Sequence, residues 1–280
     1  MLVFLSFKKT LKNIYVIFIK TIKMIKRPYI LITIILIIFS CQKAEISPNF
    51  ESFNSNDQSL NYRILYPKNF DKTKSYPLTL FLHGIGERGD DNELQLTHGA
   101  SFFLQKMRKK KFNSYVIFPQ CQVNNRWSSE KKDPWLSHDE KTKVSDISLY
   151  GKMVIELIEY LTKEKNIDTD RIYIAGLSMG GYGTFELVSR RPDLFAAAVP
   201  ICGGANFSIL NNSINIPHWI FHGQLDRVVP VQKSRDAFNY LRNKKSHHKY
   251  TEFKEVYHNS WENVFDDGKF LNWLFSKSKN

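Results

Sequence analysis

The stretch "RIYIAGLSMGGYGTFEL", residues Arg171 to Leu187, runs from an apolar segment into glycines clustered round one serine. Gly176 stands two residues before Ser178 and Gly180 two after it. The G-x-S-x-G pattern fixes three positions only, and roughly one chain in ten of this length carries it by chance. The flanks are more informative. Ile172, Tyr173, Ile174 and Ala175 read as a buried strand, and Tyr182 to Arg190 as a helix stopped by Pro192. A strand that turns at once into a helix strains its corner residue, and only small neighbours fit inside the turn. Such a corner lifts a serine hydroxyl above the sheet edge.

Working outward, the chain has 280 residues, 42% hydrophobic and 14% aromatic, which suits one sizeable domain with a full core. Its net charge of +13 raises the question of an acidic partner. Residues 1–40 hold seven basic and no acidic side chains, so the excess over the rest is +6. Much of that lies in short runs such as Lys109–Lys111 and Lys244–Lys245, which read as solvated faces. No basic stripe interleaved with aromatics suggests a nucleic-acid groove.

The amino terminus reads as a signal segment over residues 1–40. Lys26 and Arg27 precede an apolar run from Tyr29 to Phe39, too short to span a bilayer and suited to a signal-peptide core. The ending "IIFSC" resembles a bacterial lipoprotein signal, which implies a lipid on Cys41 and an exported protein held at a membrane. Translation from Met24 would give a compact basic-then-apolar leader. Residues 41–58 are then expected to form a polar tether, and 59–280 the folded domain. Of the three cysteines, Cys121 and Cys202 remain beside Cys41, and no Cys/His spacing marks a metal site.

Strands are expected over 60–67, 76–84 and 114–120, with helices over 100–109 and from about 145 to 165. After the elbow come strands within 196–204, 216–226 and 250–256, and helices over 231–243 and 261–275. This alternation implies an α/β architecture with a mostly parallel sheet covered on both faces, whose ligands bind at the carboxyl ends of the strands.

Two residues there are candidate partners for Ser178. Asp226 follows the strand in "HWIFHGQLD", and His258 follows the last strand, in "YHNSWENVF". Alone, Asp226 reads as a helix cap and His258 as a loop histidine. Together with Ser178 they run Ser…Asp…His, each just after a strand, the order of α/β-hydrolases. The segments "LFLHGIGERGDDN", "GLSMGGYGTFEL", "PICGG", "HGQLDRVVP" and "YHNSWE" resemble the α/β-hydrolase esterases, in the feruloyl esterase, acetyl-ester hydrolase and polyhydroxybutyrate depolymerase-like group. The likeness spans roughly residues 60 to 278; Tyr257 stands where relatives carry glycine.

The resemblance implies a serine ester hydrolase of about eight strands, without a large lid or a cofactor. Ser178 would attack, His258 act as general base, and Asp226 hold the histidine. Backbone N–H groups of Met179 and Ile85 are the expected oxyanion donors. Glu87 and Arg88 either contact substrate or form a local pair holding the oxyanion loop. Trp127 and Trp135 either stack on a sugar or phenolic ring or cover the core. Expected partners are small-molecule or polysaccharide-linked esters and, through Cys41, a membrane. A prolyl oligopeptidase-type peptidase and a silent binding protein are the competing readings.

Overall fold

The computed structural model describes residues 49–55, 58–107, 109–129 and 146–279; the leader, Cys41 and Trp135 lie outside them. Alternation within the central strands sets the layers. In β3 (Tyr76–Leu82), Leu78, Leu80 and Leu82 face one apolar layer and Phe81 the other. In β5 (Ile167–Leu177), Ile172 and Ile174 share the leucines' side, while Tyr173 and Ala175 join Phe81. Both faces are apolar, so both must be covered.

The remaining strands are β1 (Asn49–Ser55), β2 (Gln58–Leu65), β4 (Tyr115–Pro119), β6 (Ala197–Ile201), β7 (Trp219–Gly223) and β8 (Lys249–Phe253). They form one sheet ordered β1-β2-β4-β3-β5-β6-β7-β8. The β1–β2 and β2–β4 pairs are antiparallel and the others parallel. Helix α1 (Ala100–Met107) covers the Phe81 side through Phe102 and Phe103, and α2 (Leu149–Glu164) covers the Leu80 side through Met153, Leu157 and Leu161. Ser148 caps α2 by accepting from the Gly151 amide at 2.9 Å. Helix α3 (Met179–Arg190) follows the elbow, and α4 (Gln232–Lys244) packs Ala237 and Leu241 against Phe185 and Ile220.

Two expectations are corrected. Residues 49–55 do not belong to a tether: they form β1, where Phe53 packs on the core and Glu51 accepts from Tyr62 Oη at 2.5 Å and Tyr66 Oη at 2.7 Å. The last helix is two, α5 (Trp261–Asp267) and α6 (Lys269–Leu274), separated by Gly268 at φ 58°. This left-handed break turns Phe270 and Leu271 into the core. Cys121 and Cys202 are free, buried thiols. They follow β4 and β6, with β3 and β5 between them.

Candidate active site

The elbow forms where the sequence places it. Ser178, between β5 and α3, has φ 53° and ψ −115°, a conformation that costs a non-glycine residue roughly 1–3 kcal/mol. The packing round it maintains that strain. A Cβ on Gly176 would strike the Gly180 backbone, and one on Gly180 the Leu82 carbonyl. The Ser178 amide donates to Ile201 O at 2.9 Å, which ties the corner to β6.

The turns after β7 and β8 deliver the partners. His258 Nε2 lies 2.9 Å from Ser178 Oγ, and His258 Nδ1 lies 2.7 Å from Asp226 Oδ2. The carboxylate only accepts, so Nδ1 carries the hydrogen and Nε2 is left to take the serine proton. Asp226 Oδ1 accepts the amides of Val228 at 2.8 Å and Val229 at 2.9 Å. Burial opposes its charge, but hydrogen bonds from His222, His258 and Val229 outweigh that and hold the carboxyl well below the usual carboxylate range.

His222, near the end of β7, is joined to this chain. Its Nε2 lies 3.1 Å from Asp226 Oδ2 and 3.0 Å from Val229 O, two acceptors that require a hydrogen on that nitrogen. Its Nδ1 meets Ser234 Oγ at 2.7 Å, and Ser234 Oγ lies 3.0 Å from Gly203 O. Asp226 therefore sits between two imidazoles. The signal for this was the four-residue spacing from His222 to Asp226 across a tight turn; Ser234, one turn into α4, carries none.

Among the described residues one trio places possible metal-ligand atoms within 4.8 Å of one another: Cys202, Asp226 and His258. Burial and the Asp226 charge push the Cys202 thiol up, so it stays protonated beside the carboxylate. A cation there would also have to break the Asp226–His258 bond.

The segment after β3 passes beside the nucleophile: a Cβ on Gly84 would lie 3.6 Å from Ser178 Cβ. Ile85 follows in a short 3-10 turn, Ile85–Glu87, and Met179 opens α3. His83 holds this segment. Its Nδ1 meets Gly84 O at 2.6 Å, and its Nε2 accepts the Cys121 amide at 3.0 Å. Burial pushes its pKa down to about 4, so it stays neutral.

Trp127 is corrected as a substrate contact. It is 0% exposed, and its indole donates to His83 O at 3.0 Å. A ring inside the core has no face for a sugar; it supports the turn that Ile85 begins. Arg88 and Glu87 do not pair with each other. Arg88 reaches Ile85 O at 3.1 Å and Asn125 O at 3.3 Å, tying two loops, and Glu87 faces His98 at 3.6 Å. Trp261 went unread in the sequence; its ring stands edge-on to His258 with centroids 5.5 Å apart.

Comparison with known proteins agrees with this geometry. Residues 70–273 match the phospholipase/carboxylesterase family. A thermostable esterase of known crystal structure superposes with a TM-score of 0.74 at 36% identity, covering 82% of this chain and 63% of that one. Poly(3-hydroxyalkanoate) depolymerase C of Paucimonas lemoignei is 30% identical over 128 residues, 46% of this chain and 28% of the depolymerase. Cutinase 1 of Thermobifida cellulosilytica is 40% identical over 80 residues, 28% of this chain and 29% of the cutinase. The chain thus spans under a third of the length of these two curated relatives. A ferulic acid esterase shares the fold at a TM-score of 0.58 and 16% identity, covering 82% of this chain and 98% of that one. With an α/β-hydrolase sheet, a strained serine at its elbow and most of its folded length matched, this chain belongs to the phospholipase/carboxylesterase family.

Proposed function

We propose that this chain is a serine carboxylic ester hydrolase working through an acyl-enzyme. The observation that carries this reading is the unbroken chain Ser178 Oγ–His258 Nε2, 2.9 Å, and His258 Nδ1–Asp226 Oδ2, 2.7 Å, at the carboxyl ends of three strands. His258 takes the serine proton as Oγ attacks the ester carbonyl. The proton then passes to the leaving alcohol, and a water repeats the sequence to release the acid. Asp226 stays ionised, fixes the tautomer and stabilises the imidazolium. The amides of Ile85 and Met179 are the oxyanion donors in this scheme, each worth on the order of 10²–10³ in rate.

For substrates we propose short acyl or feruloyl esters of a polysaccharide. The segment between β6 and β7 holds only short helical turns, Phe207–Leu210 and Asn211–Ser213, which supports an open site. The solved ferulic acid esterase shares the fold, and a bifunctional acetylxylan esterase/xylanase of Neocallimastix patriciarum is 35% identical over 80 residues, 29% of this chain and 12% of that one. A second reading, a polyester, is favoured by the exposed apolar side chains Ile85, Leu225, Val228 and Tyr257 on the loops of the same edge. Turnover of nitrophenyl acetate tests the reaction. Acetylated and feruloylated oligosaccharides set against a poly(3-hydroxyalkanoate) film test the substrate. Activity on the film alone would overturn the polysaccharide reading.

We also propose export and lipidation at Cys41, on the basic, apolar and small-residue pattern that precedes it. Mass spectrometry of the mature amino terminus tests this; an unmodified terminus upstream of Cys41 contradicts it.

A further inference from the structure

The sheet edge opposite the candidate active site has a character of its own. Strand pairing puts Leu65, Tyr76, Tyr115 and Ile167 at that edge. Asn49 pairs with Ile64, so the chain also enters the described domain there. The segments 66–75, 109–113 and 275–279, all at this edge, carry eight basic residues and one acidic. Lys68, Lys74, Lys111 and Arg171 line one depression with Tyr76 and Phe275. Acidic groups of the edge are engaged: Asp71 with Lys74 at 3.1 Å, Asp168 with Arg171 at 2.7 Å and Asp193 with Arg191 at 2.7 Å. Lys68, Lys72 and Lys109 have no ion-pair partner among the described residues.

Two aromatic rings project among these lysines. Tyr66 is 38% exposed and Phe70 47% exposed. Both rest on Tyr115, with ring centroids at 5.7 and 6.3 Å, so a rigid base holds them at the surface. The opposite edge has the opposite sign: residues 83–99, beside the nucleophile, hold four acidic and one basic residue.

We propose that this basic, aromatic-tipped edge docks on an anionic phospholipid surface, leaving the catalytic edge turned to the aqueous side. Lysines near an anionic bilayer are attracted within a Debye length, and aromatic rings settle at the headgroup level. A nucleic-acid partner fits less well, since Tyr66 and Phe70 do not line the basic depression. The proposed lipid site, Cys41, lies eight residues before Asn49, where the chain enters the described domain. This entry point at the same edge is the one argument that rests on the proposed anchor.

The test uses the full chain with vesicles of phosphatidylcholine alone, vesicles that also contain phosphatidylglycerol, and a DNA duplex. Lysine acylation is read by mass spectrometry. At low salt, Lys68, Lys72 and Lys111 should lose label on the order of tenfold on phosphatidylglycerol relative to phosphatidylcholine. Lys254, past β8 on the catalytic edge, should keep its label, and high salt should restore the other three. The triple variant K68E/K72E/K111E should sediment correspondingly less with the anionic vesicles. Equal labelling on the two vesicle types, protection of Lys254 instead, or protection by DNA alone overturns the proposal. Hydrolysis of a soluble ester, followed in the same samples, separates this outcome from failure of the catalytic reading.

Discussion

Acid should unfold this domain through its buried histidines before its carboxylates take part. His218 is fully buried; its Nδ1 meets Ile216 O at 2.7 Å and its Nε2 has no partner. Burial, with His248 nearby, pushes its pKa down to about 3. His83 stands at about 4, again through burial, and its Nε2 already accepts an amide, so a proton there would set donor against donor. Burial pushes His248 down to about 4 as well, and in the unfolded chain all three titrate near 6.5. A depressed folded value means stability fully present above pH 6.5 and lost as pH falls toward the folded values. From pH 7.5 to 5 the unfolded state gains a proton at each of the three sites that the fold refuses, costing about 2 kcal/mol per histidine, or about 6 in all. That is a large part of a typical 5–15 kcal/mol. Carboxylates contribute little in this window, because their unfolded values lie near 4. Urea unfolding at pH 7.5, 6.5 and 5 measures the slope. His218→Gln should flatten it by about a third, whatever it costs at pH 7.5. A wild-type stability that does not fall between pH 6.5 and 5, or an unchanged slope in the variant, would refute the argument.

Three further perturbations probe the site. Asp226→Asn keeps the shape but reverses the hydrogen-bond sense toward His258; kcat should fall about 10⁴-fold with the fold intact by circular dichroism. His222→Gln removes the imidazole from the other side of Asp226. Hydrogen bonds to charged groups are worth ~1.5–3 kcal/mol, so kcat should drop on the order of tenfold with little change in KM. A folded variant with unchanged kcat would show His222 to be packing only. Trp127→Phe leaves His83 O without its indole donor, for about 1–3 kcal/mol by denaturation and a lower kcat as the Ile85 turn loosens.

The sequence carried much of this because its signals were local. An apolar run into G-L-S-M-G leaves few ways to pack, and the elbow formed with Ser178 at its corner. Asp226 and His258 could be placed because each follows a strand by a few residues, and strand ends of a parallel sheet converge. What stayed hidden depended on the third dimension. Trp127 lies on a loop between β4 and α2, and nothing local distinguishes an exposed ring from one sealed beneath His83. Glu87 and Arg88 are neighbours in sequence, yet the 3-10 turn at Ile85 sends them to His98 and to Asn125. The polar composition of residues 49–55 suggested a tether; their pairing with β2 could not be seen before β2 itself was placed. His222 hid for a related reason: its partner Ser234 is twelve residues on, in a helix that only the fold brings back.

The central claim is that Ser178 is an activated nucleophile, and covalent trapping tests it most directly. Treatment with a fluorophosphonate, followed by peptide mapping, should find one modified residue, Ser178, with ester hydrolysis lost in proportion to labelling. Ser178→Ala should neither label nor hydrolyse while unfolding at a similar denaturant concentration. Labelling confined to another serine, or full hydrolysis by Ser178→Ala, would contradict the account.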